Sequence, residues 1–452
     1  MKIALLGFDR QGRSAYDYWH ELGNDITICD QNLQIDTPTS AQTQLGDNYL
    51  ADLGQFDVLV RTPGLHPSKI TQANPQSPHI LDKVTTVTNE FMRVCPSKNI
   101  IGVTGTKGKG TTSTLIAHIL KASGYRVHLG GNIGIAPLEL LSGAGLFSEQ
   151  TEQNSETQGI QPDDWVVLEL ANYQLIDCKY SPRIGVCLMV EPEHLDWHQD
   201  LDEYLRAKQQ MFLYQKPEDT AIFHAHNNRS RHIATSSPGI HVPFMTAPGA
   251  EVINENISID GEIICRTTDI PLLGNHNQEN VCAAVSAVWQ ITQNSEIIKQ
   301  GIVDTKPLPC RIEEIATVHK VVYINDSFAT NPSATIAAVK AVRQPKTLLL
   351  GGYDRGLDFS ELAHTIANPD NLVSRVILFG QTQNKIEKSL QQMHFKNTTK
   401  LETTNMEEIV KVAQQQSNPG DAVVLSPACA SFDMFKNFEV RGEAFNVAVG
   451  KL

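Results

Sequence analysis

Short apolar runs such as Ile3-Ala4-Leu5-Leu6, Ile100-Ile101-Gly102-Val103 and Val166-Val167-Leu168 alternate with helix-length amphipathic stretches over most of the chain. A strand with apolar residues on both faces must be covered on both sides, and the stretch that follows is long enough to be its cover. The rhythm therefore predicts an α/β fold of parallel sheets wrapped by helices. At 452 residues the chain is about three times the length of a typical domain. Three segments are expected, 1–95, 96–305 and 306–452. The first carries strands at Ile3 to Leu6, Ile26 to Cys29 and Val58 to Arg61, with a helix from Arg13 to Leu22, and closes near Pro96. The second opens at Asn99, carries strands at Trp165 to Leu170, Ile184 to Val190 and Thr220 to Phe223 and a helix at Glu279 to Ile291, and ends before Pro307-Leu308-Pro309. The third repeats the rhythm with strands at Val321 to Ile324, Thr347 to Leu350, Val376 to Phe379 and Ala422 to Leu425. The polar stretch from Ser148 to Asp164 is expected to be a solvated loop.

Thirty-seven Lys and Arg stand against fifty Asp and Glu, a net charge of -13. That balance argues against a broad basic surface for nucleic acid or anionic lipid, so neither is an expected partner. Any anionic ligand needs a local basic pocket. The eight cysteines include no CxxC pair and mostly have apolar neighbours, which predicts reduced core thiols. No charged lead with an apolar stretch opens the sequence and no window approaches the length of a membrane span, so a cytoplasmic protein is expected.

The segment richest in chemistry is Gly102-Val103-Thr104-Gly105-Thr106-Lys107-Gly108-Lys109-Gly110-Thr111-Thr112, between an apolar strand and a helical pattern. Glycines let the backbone turn so that several N–H groups converge on phosphate oxygens, the helix adds its positive end, and Lys109 can reach the β/γ bridge. A hydroxyl at Thr111 or Thr112 suits Mg²⁺. Gly110 separates the lysine from the threonines, a departure from the strict GxxxxGK[ST] spacing, and a plain strand-to-helix turn is the alternative.

Gly7-Phe8-Asp9-Arg10-Gln11-Gly12 also follows a strand, but Asp9 stands where a dinucleotide fingerprint has its middle glycine, which disfavours NAD. Asp30, at the end of the second strand, is placed to contact a ribose or base of a nucleotide-linked substrate; a helix cap without ligand is the alternative. Glu169 ends an apolar strand expected beside that of the phosphate loop, a position suited to an Mg²⁺ ligand. Glu191-Pro192-Glu193-His194-Leu195-Asp196-Trp197-His198 is a poor zinc site, since no later pair completes four ligands, but a plausible Mg²⁺ and phosphate loop through His194.

These segments, together with Gly274 to Asn280, Asn325-Asp326-Ser327-Phe328-Ala329-Thr330-Asn331 and Ser426-Pro427-Ala428-Cys429-Ala430-Ser431, resemble the Mur ligases in kind and order over nearly the whole chain. Within that family the chain is most similar to the member that adds glutamate to UDP-N-acetylmuramoyl-L-alanine. The resemblance implies a Rossmann-like N-terminal domain for the uridine nucleotide, a central phosphate-loop ATPase domain and a Rossmann-like C-terminal domain for the amino acid. It implies ATP and two Mg²⁺ sites, the nucleotide held by Gly105 to Thr112, Asn277, Asn280, Arg311 and Asp326, and metal held by Thr111, Glu169 and His194. Lys208 corresponds to a lysine that is carbamylated in the family, and Lys109, His194 and Lys208 form the implied catalytic set. Asn132 would contact the muramoyl substrate and Thr330, Arg355, Ser431 and Phe438 the glutamate. Phe328 and Arg355 stand where lysine is more usual. A monomer is expected. Rival readings are a folylpolyglutamate-type ligase with another acceptor, a phosphate-loop NTPase acting as a switch or motor, and a redox enzyme.

Overall fold

The computed structural model describes residues 1–39, 41–132, 134–147 and 159–452. It divides into two compact units, Met1–Ile270 with Gln278–Thr305, and Pro271–Asn277 with Lys306–Leu452. Among the described residues no helix is long and apolar enough to cross a membrane.

The first unit holds two parallel sheets and one small antiparallel one. The first parallel sheet has its strands in the spatial order Gln42–Leu45, Asp25–Asp30, Lys2–Leu6, Val58–Arg61, Val84–Thr85. The second runs Ile240–Phe244, Thr220–His224, Ile184–Cys187, Ile100–Thr104, Trp165–Glu169, Val127–Gly131. The strand leading into the phosphate loop thus lies centrally, with Val103 paired to Glu169 on one side and to Val186 on the other. Ligand-binding loops of such sheets lie at the carboxyl ends of central strands, where Gly105 and Glu169 both stand. The neighbour relation expected of the Glu169 strand is observed.

The expected strand from Ile184 to Val190 stops at Cys187. Beyond it the chain turns to serve the phosphate loop, with the Leu188 N–H on Thr104 O and Met189 O accepting from Thr106 N–H. The first helix starts at Arg10, before the expected Arg13, because Asp9 caps it by accepting from the Gln11 and Gly12 N–H groups. The antiparallel sheet, Glu251–Ile253, Asn256–Ile259 and Glu262–Arg266, was not anticipated. Its hairpins turn at Asn254-Glu255 and Asp260-Gly261, all four with positive φ, and Asp-Gly is a recognised signal for this turn. Of the expected solvated loop, residues 148–158 lie outside the described residues. At its described end Gln161, Pro162 and Asp163 are exposed, whereas Ile160 and Asp164 are buried, and Asp164 accepts from Arg126, from the Gln161 N–H and from His128 Nε2.

The second unit is a six-stranded sheet ordered Glu313–Val318, Val321–Asn325, Ala422–Leu425, Lys346–Gly351, Val373–Phe379, Thr398–Lys400, parallel except for its first pair. Strand residues alternate between two apolar layers, Leu348, Leu350, Val376 and Leu378 on one side and Leu349, Ile377, Phe379 and Val423 on the other. All eight cysteines are buried and free.

Candidate active site

In the first unit the phosphate loop has the backbone that the glycines foretold. Gly105 has φ +147° and Gly108 φ +86°, and a Cβ on Gly108 would lie 2.3 Å from Asn280 Oδ1. The helix Lys109–Ala122 follows directly, so its first-turn N–H groups and its positive end face the loop. Thr106 is held on both sides: its Oγ1 donates to Glu191 O at 3.1 Å and takes the Tyr204 hydroxyl at 2.9 Å.

Lys109 Nζ folds back to Gly105 O at 3.2 Å and Thr106 O at 3.0 Å. Lys208 Nζ reaches the same Gly105 oxygen at 2.9 Å, and its side chain is 1 % exposed. Burial pushes the Lys208 ammonium down to about 7, and repulsion from Lys109 adds to the fall. Lys208 is therefore no helix-surface lysine but a buried amine that is substantially neutral near pH 7. Burial also lowers the proton affinity of His194, opposed by Glu193 and reinforced by Lys109 and Lys208. An unprotonated imidazole is the form that ligates a metal.

Glu169 is 3 % exposed; Oε1 accepts from Asn132 Nδ2 at 3.2 Å, and Oε2 is buried without a hydrogen-bond partner among the described residues. Such an orphaned oxygen is costly unless a ligand satisfies it. Mg²⁺ fits this donor set, since it takes one or two carboxylates and completes its shell with water and phosphate. Thr111 lies in the first turn of the same helix as Lys109. Asn132, implied for the muramoyl group, donates to Glu169 from its side chain and its backbone N–H.

Asp30 accepts from the Phe8 and Asn32 N–H groups, both at 2.8 Å. Its carboxylate shapes the loop after the first strand, just as Asp9 caps the helix.

A further cluster was not foreseen. Glu203 Oε2 meets His66 Nε2 at 3.2 Å, His198 Nδ1 at 3.3 Å and the Gln199 N–H at 2.8 Å. His66 Nδ1 accepts from the Ser68 N–H, and His198 Nε2 takes Asn172 Nδ2. Both rings therefore point a protonated nitrogen at Glu203, the tautomers opposite to those a metal needs, and the cluster is a hydrogen-bonded brace. Beside it, buried Arg61 makes a bidentate pair with Asp177 at 2.8 and 2.7 Å and donates to Thr62, Leu65 and Tyr173 carbonyls.

In the second unit, Asp326 is buried, with Oδ2 accepting from Ser426 Oγ at 2.6 Å and Oδ1 from the Ile312 N–H at 3.2 Å. Burial raises its carboxyl to about 7. Arg441, 1 % exposed, donates to Ser327 Oγ and O and to Cys429 O, at 3.0, 2.8 and 3.0 Å. It thus ties the loop bearing Thr330 to the loop bearing Ser431. Phe438 opens the helix Phe438–Val449 under the Asn437 cap. Arg355 lies with Cζ 5.4 Å from the exposed Phe432 ring. Arg311 stands over Phe328, between Cys310 and Ile312, which both have positive φ. Left-handed backbone at two non-glycine residues costs about 1 kcal/mol or more each. Asn277 is anchored by its Nδ2 to Leu273 O at 2.7 Å.

Two family models match the chain: the Mur ligase middle domain over residues 103–288, and the Mur ligase, glutamate ligase domain over 310–429. The UDP-N-acetylmuramoylalanine–D-glutamate ligase of Clostridium kluyveri is 33% identical over 468 residues, covering 100% of this chain and 97% of its own. The enzyme of the same name from Acetivibrio thermocellus is 35% identical over 474 residues, covering 100% and 96%. Among solved structures, UDP-N-acetylmuramate–alanine ligase MurC from Thermotoga maritima superposes with a TM-score of 0.61 at 13% identity, covering 100% of this chain and 99% of that one. MurF ligase from Thermotoga maritima in complex with ADP gives 0.58 at 15%, covering 99% and 95%. The structural likenesses establish the fold, and the full-length identity to the curated enzymes establishes more: the chain belongs to the Mur ligase family of ATP-dependent ligases.

Proposed function

We propose that this chain joins D-glutamate to UDP-N-acetylmuramoyl-L-alanine with ATP, a cytoplasmic step of peptidoglycan precursor synthesis. The observation that carries the reading is the buried Lys208 amine on the Gly105 carbonyl, next to Lys109. An ordinary nucleotide switch has no use for a second, buried lysine there. An amine that has lost its proton can take up CO₂, and the resulting carbamate turns a cation into an oxygen ligand.

Thr111, Glu169, His194 and carbamylated Lys208 would hold two Mg²⁺ ions, which when bound neutralise charge on the triphosphate. Lys109 would leave its carbonyls for the β/γ oxygens. The γ-phosphoryl group passes to a carboxylate oxygen of the alanine: the new O–P bond forms as the β/γ bridge breaks, and ADP departs. The neutral amine of glutamate then attacks the acyl carbon, the C–N bond forms, the amine proton is lost and phosphate leaves. Thr330, Ser431 and Phe438 would orient the amino acid, and Arg355 would pair with one of its carboxylates. Asn277, Asn280, Arg311 and Asp326 would serve the nucleotide, Asn132 the muramoyl group and Asp30 the uridine end. In this reading residues 1–95, 96–305 and 306–452 bind the uridine nucleotide, ATP and the amino acid in turn, within a monomer.

The test is phosphate release and amide formation with UDP-N-acetylmuramoyl-L-alanine and each glutamate enantiomer supplied separately. The expected result is turnover with D-glutamate alone. ATP hydrolysis undiminished without both organic substrates, or no new amide bond with all of them present, overturns the reading.

A further inference from the structure

Phe328 lies in the loop after the strand Val321–Asn325 and is 36 % exposed, so it is not a core residue. Arg311 Cζ stands 3.7 Å from the centroid of its ring. The Phe438 ring stands perpendicular to the same ring, with centroids 5.0 Å apart at 89°. An aromatic ring carries negative charge on its face and positive charge at its edge, so it attracts a guanidinium over the face and favours a second ring at right angles.

The backbone converges on the same point. The Phe328 N–H donates to Cys310 O at 3.0 Å, the Ile312 N–H to Asp326 Oδ1 at 3.2 Å, and Ser327 Oγ to Phe438 O at 2.8 Å. Arg311 lies between Cys310 at φ +62° and Ile312 at φ +47°. Left-handed backbone at a β-branched residue persists only where the surroundings impose it. Three loops are therefore closed around one exposed ring.

We propose that Phe328 is a positioning residue: its face fixes the Arg311 guanidinium, and its contact with Phe438 fixes the wall of the amino-acid site, so one side chain sets the geometry of both. The proposal rests on the assignment of Arg311 to the nucleotide and Phe438 to glutamate made above.

The experiment measures, in the full-length protein, ADP affinity by titration and KM for ATP and for glutamate in wild type, Phe328→Leu, Phe328→Ala, Phe328→Tyr, Arg311→Ala and the double variant Arg311→Ala/Phe328→Leu. Leucine keeps an apolar contact for Phe438 but has no charged face. Phe328→Leu is expected to weaken ADP and raise KM for ATP roughly three- to tenfold, with KM for glutamate nearly unchanged. Phe328→Ala should raise both KM values, and Phe328→Tyr should restore both. The double variant should bind ADP no more weakly than Arg311→Ala, a non-additivity that a general loosening of the loop would not produce. Unchanged ADP affinity in Phe328→Leu while Arg311→Ala weakens it overturns the proposal alone. No effect in either variant overturns the proposal together with the placement of Arg311 at the nucleotide.

Discussion

The phosphate-loop site of the first unit and the loop cluster of the second are built on opposite electrostatic plans. Around Gly105 polar groups are gathered for a ligand: two lysines share a carbonyl, a glutamate oxygen has no donor among the described residues, and a histidine is held short of protons. Around Arg441 everything is closed, with the guanidinium spent on Ser327 and Cys429 and the Asp326 carboxyl spent on Ser426 and Ile312. An open arrangement is completed by ligands and contributes little to stability when empty. A closed one is part of the scaffold. Substitutions should therefore separate, the first unit losing activity and the second losing stability as well.

The sharpest way to break this contrast is Lys109→Ala. Phosphoryl transfer depends mainly on positioning and charge, so ligation should fall on the order of 10³-fold or more, while the thermal midpoint stays within a few degrees. A large fall in the midpoint would mean that the first site is also structural. Arg441→Met tests the other half. It leaves two buried carbonyls without donors, and denaturant unfolding should show a loss of about 3 kcal/mol in the second unit. Unchanged unfolding would make Arg441 a ligand group instead of a clamp.

Lys208→Ala should cost roughly a hundredfold in ligation that added bicarbonate does not restore, whereas Lys208→Glu, which supplies its own oxygens, should retain more. Equal activity in the two variants would count against a carbamate. The smallest effect is expected from Asp326→Asn. Burial raises the Asp326 carboxyl from 3.8 to about 7, so between those values the folded state binds more protons than the unfolded one. Its contribution is full below about pH 4 and is lost as pH rises through 7. Unfolding followed from pH 4 to 8 should show a decline that is shallower in the variant.

What could be read in advance were features that impose a local pattern. The phosphate loop declares itself because left-handed backbone at Gly105 and Gly108 requires glycine, and Glu169 because an acid at the end of an apolar run needs a reason. Asp9 and Asp30 are legible as acids beside strand ends, but that Asp9 Oδ1 and both Asp30 oxygens accept from backbone N–H groups is a detail the sequence does not carry. Partners far apart in the chain leave no trace of this kind. His66 and Glu203 are 137 residues apart, Arg61 and Asp177 116, and Arg441 lies 114 from Ser327. Nothing in the residues around Arg441 says that its side chain is buried.

The edge hairpin Glu313–Val318 with Val321–Asn325 carries a consequence beyond sheet protection. Glu313 pairs with Asn325, and the only irregularity falls between Glu314 and Ala316. Arg311 and Phe328 lie just past that same end, so the pairing of the edge strand with its inner neighbour decides whether a cation faces a ring. Sliding by a single residue would reverse every side chain downstream. Deleting one residue from an unremarkable border strand would then be felt as a defect in recognition.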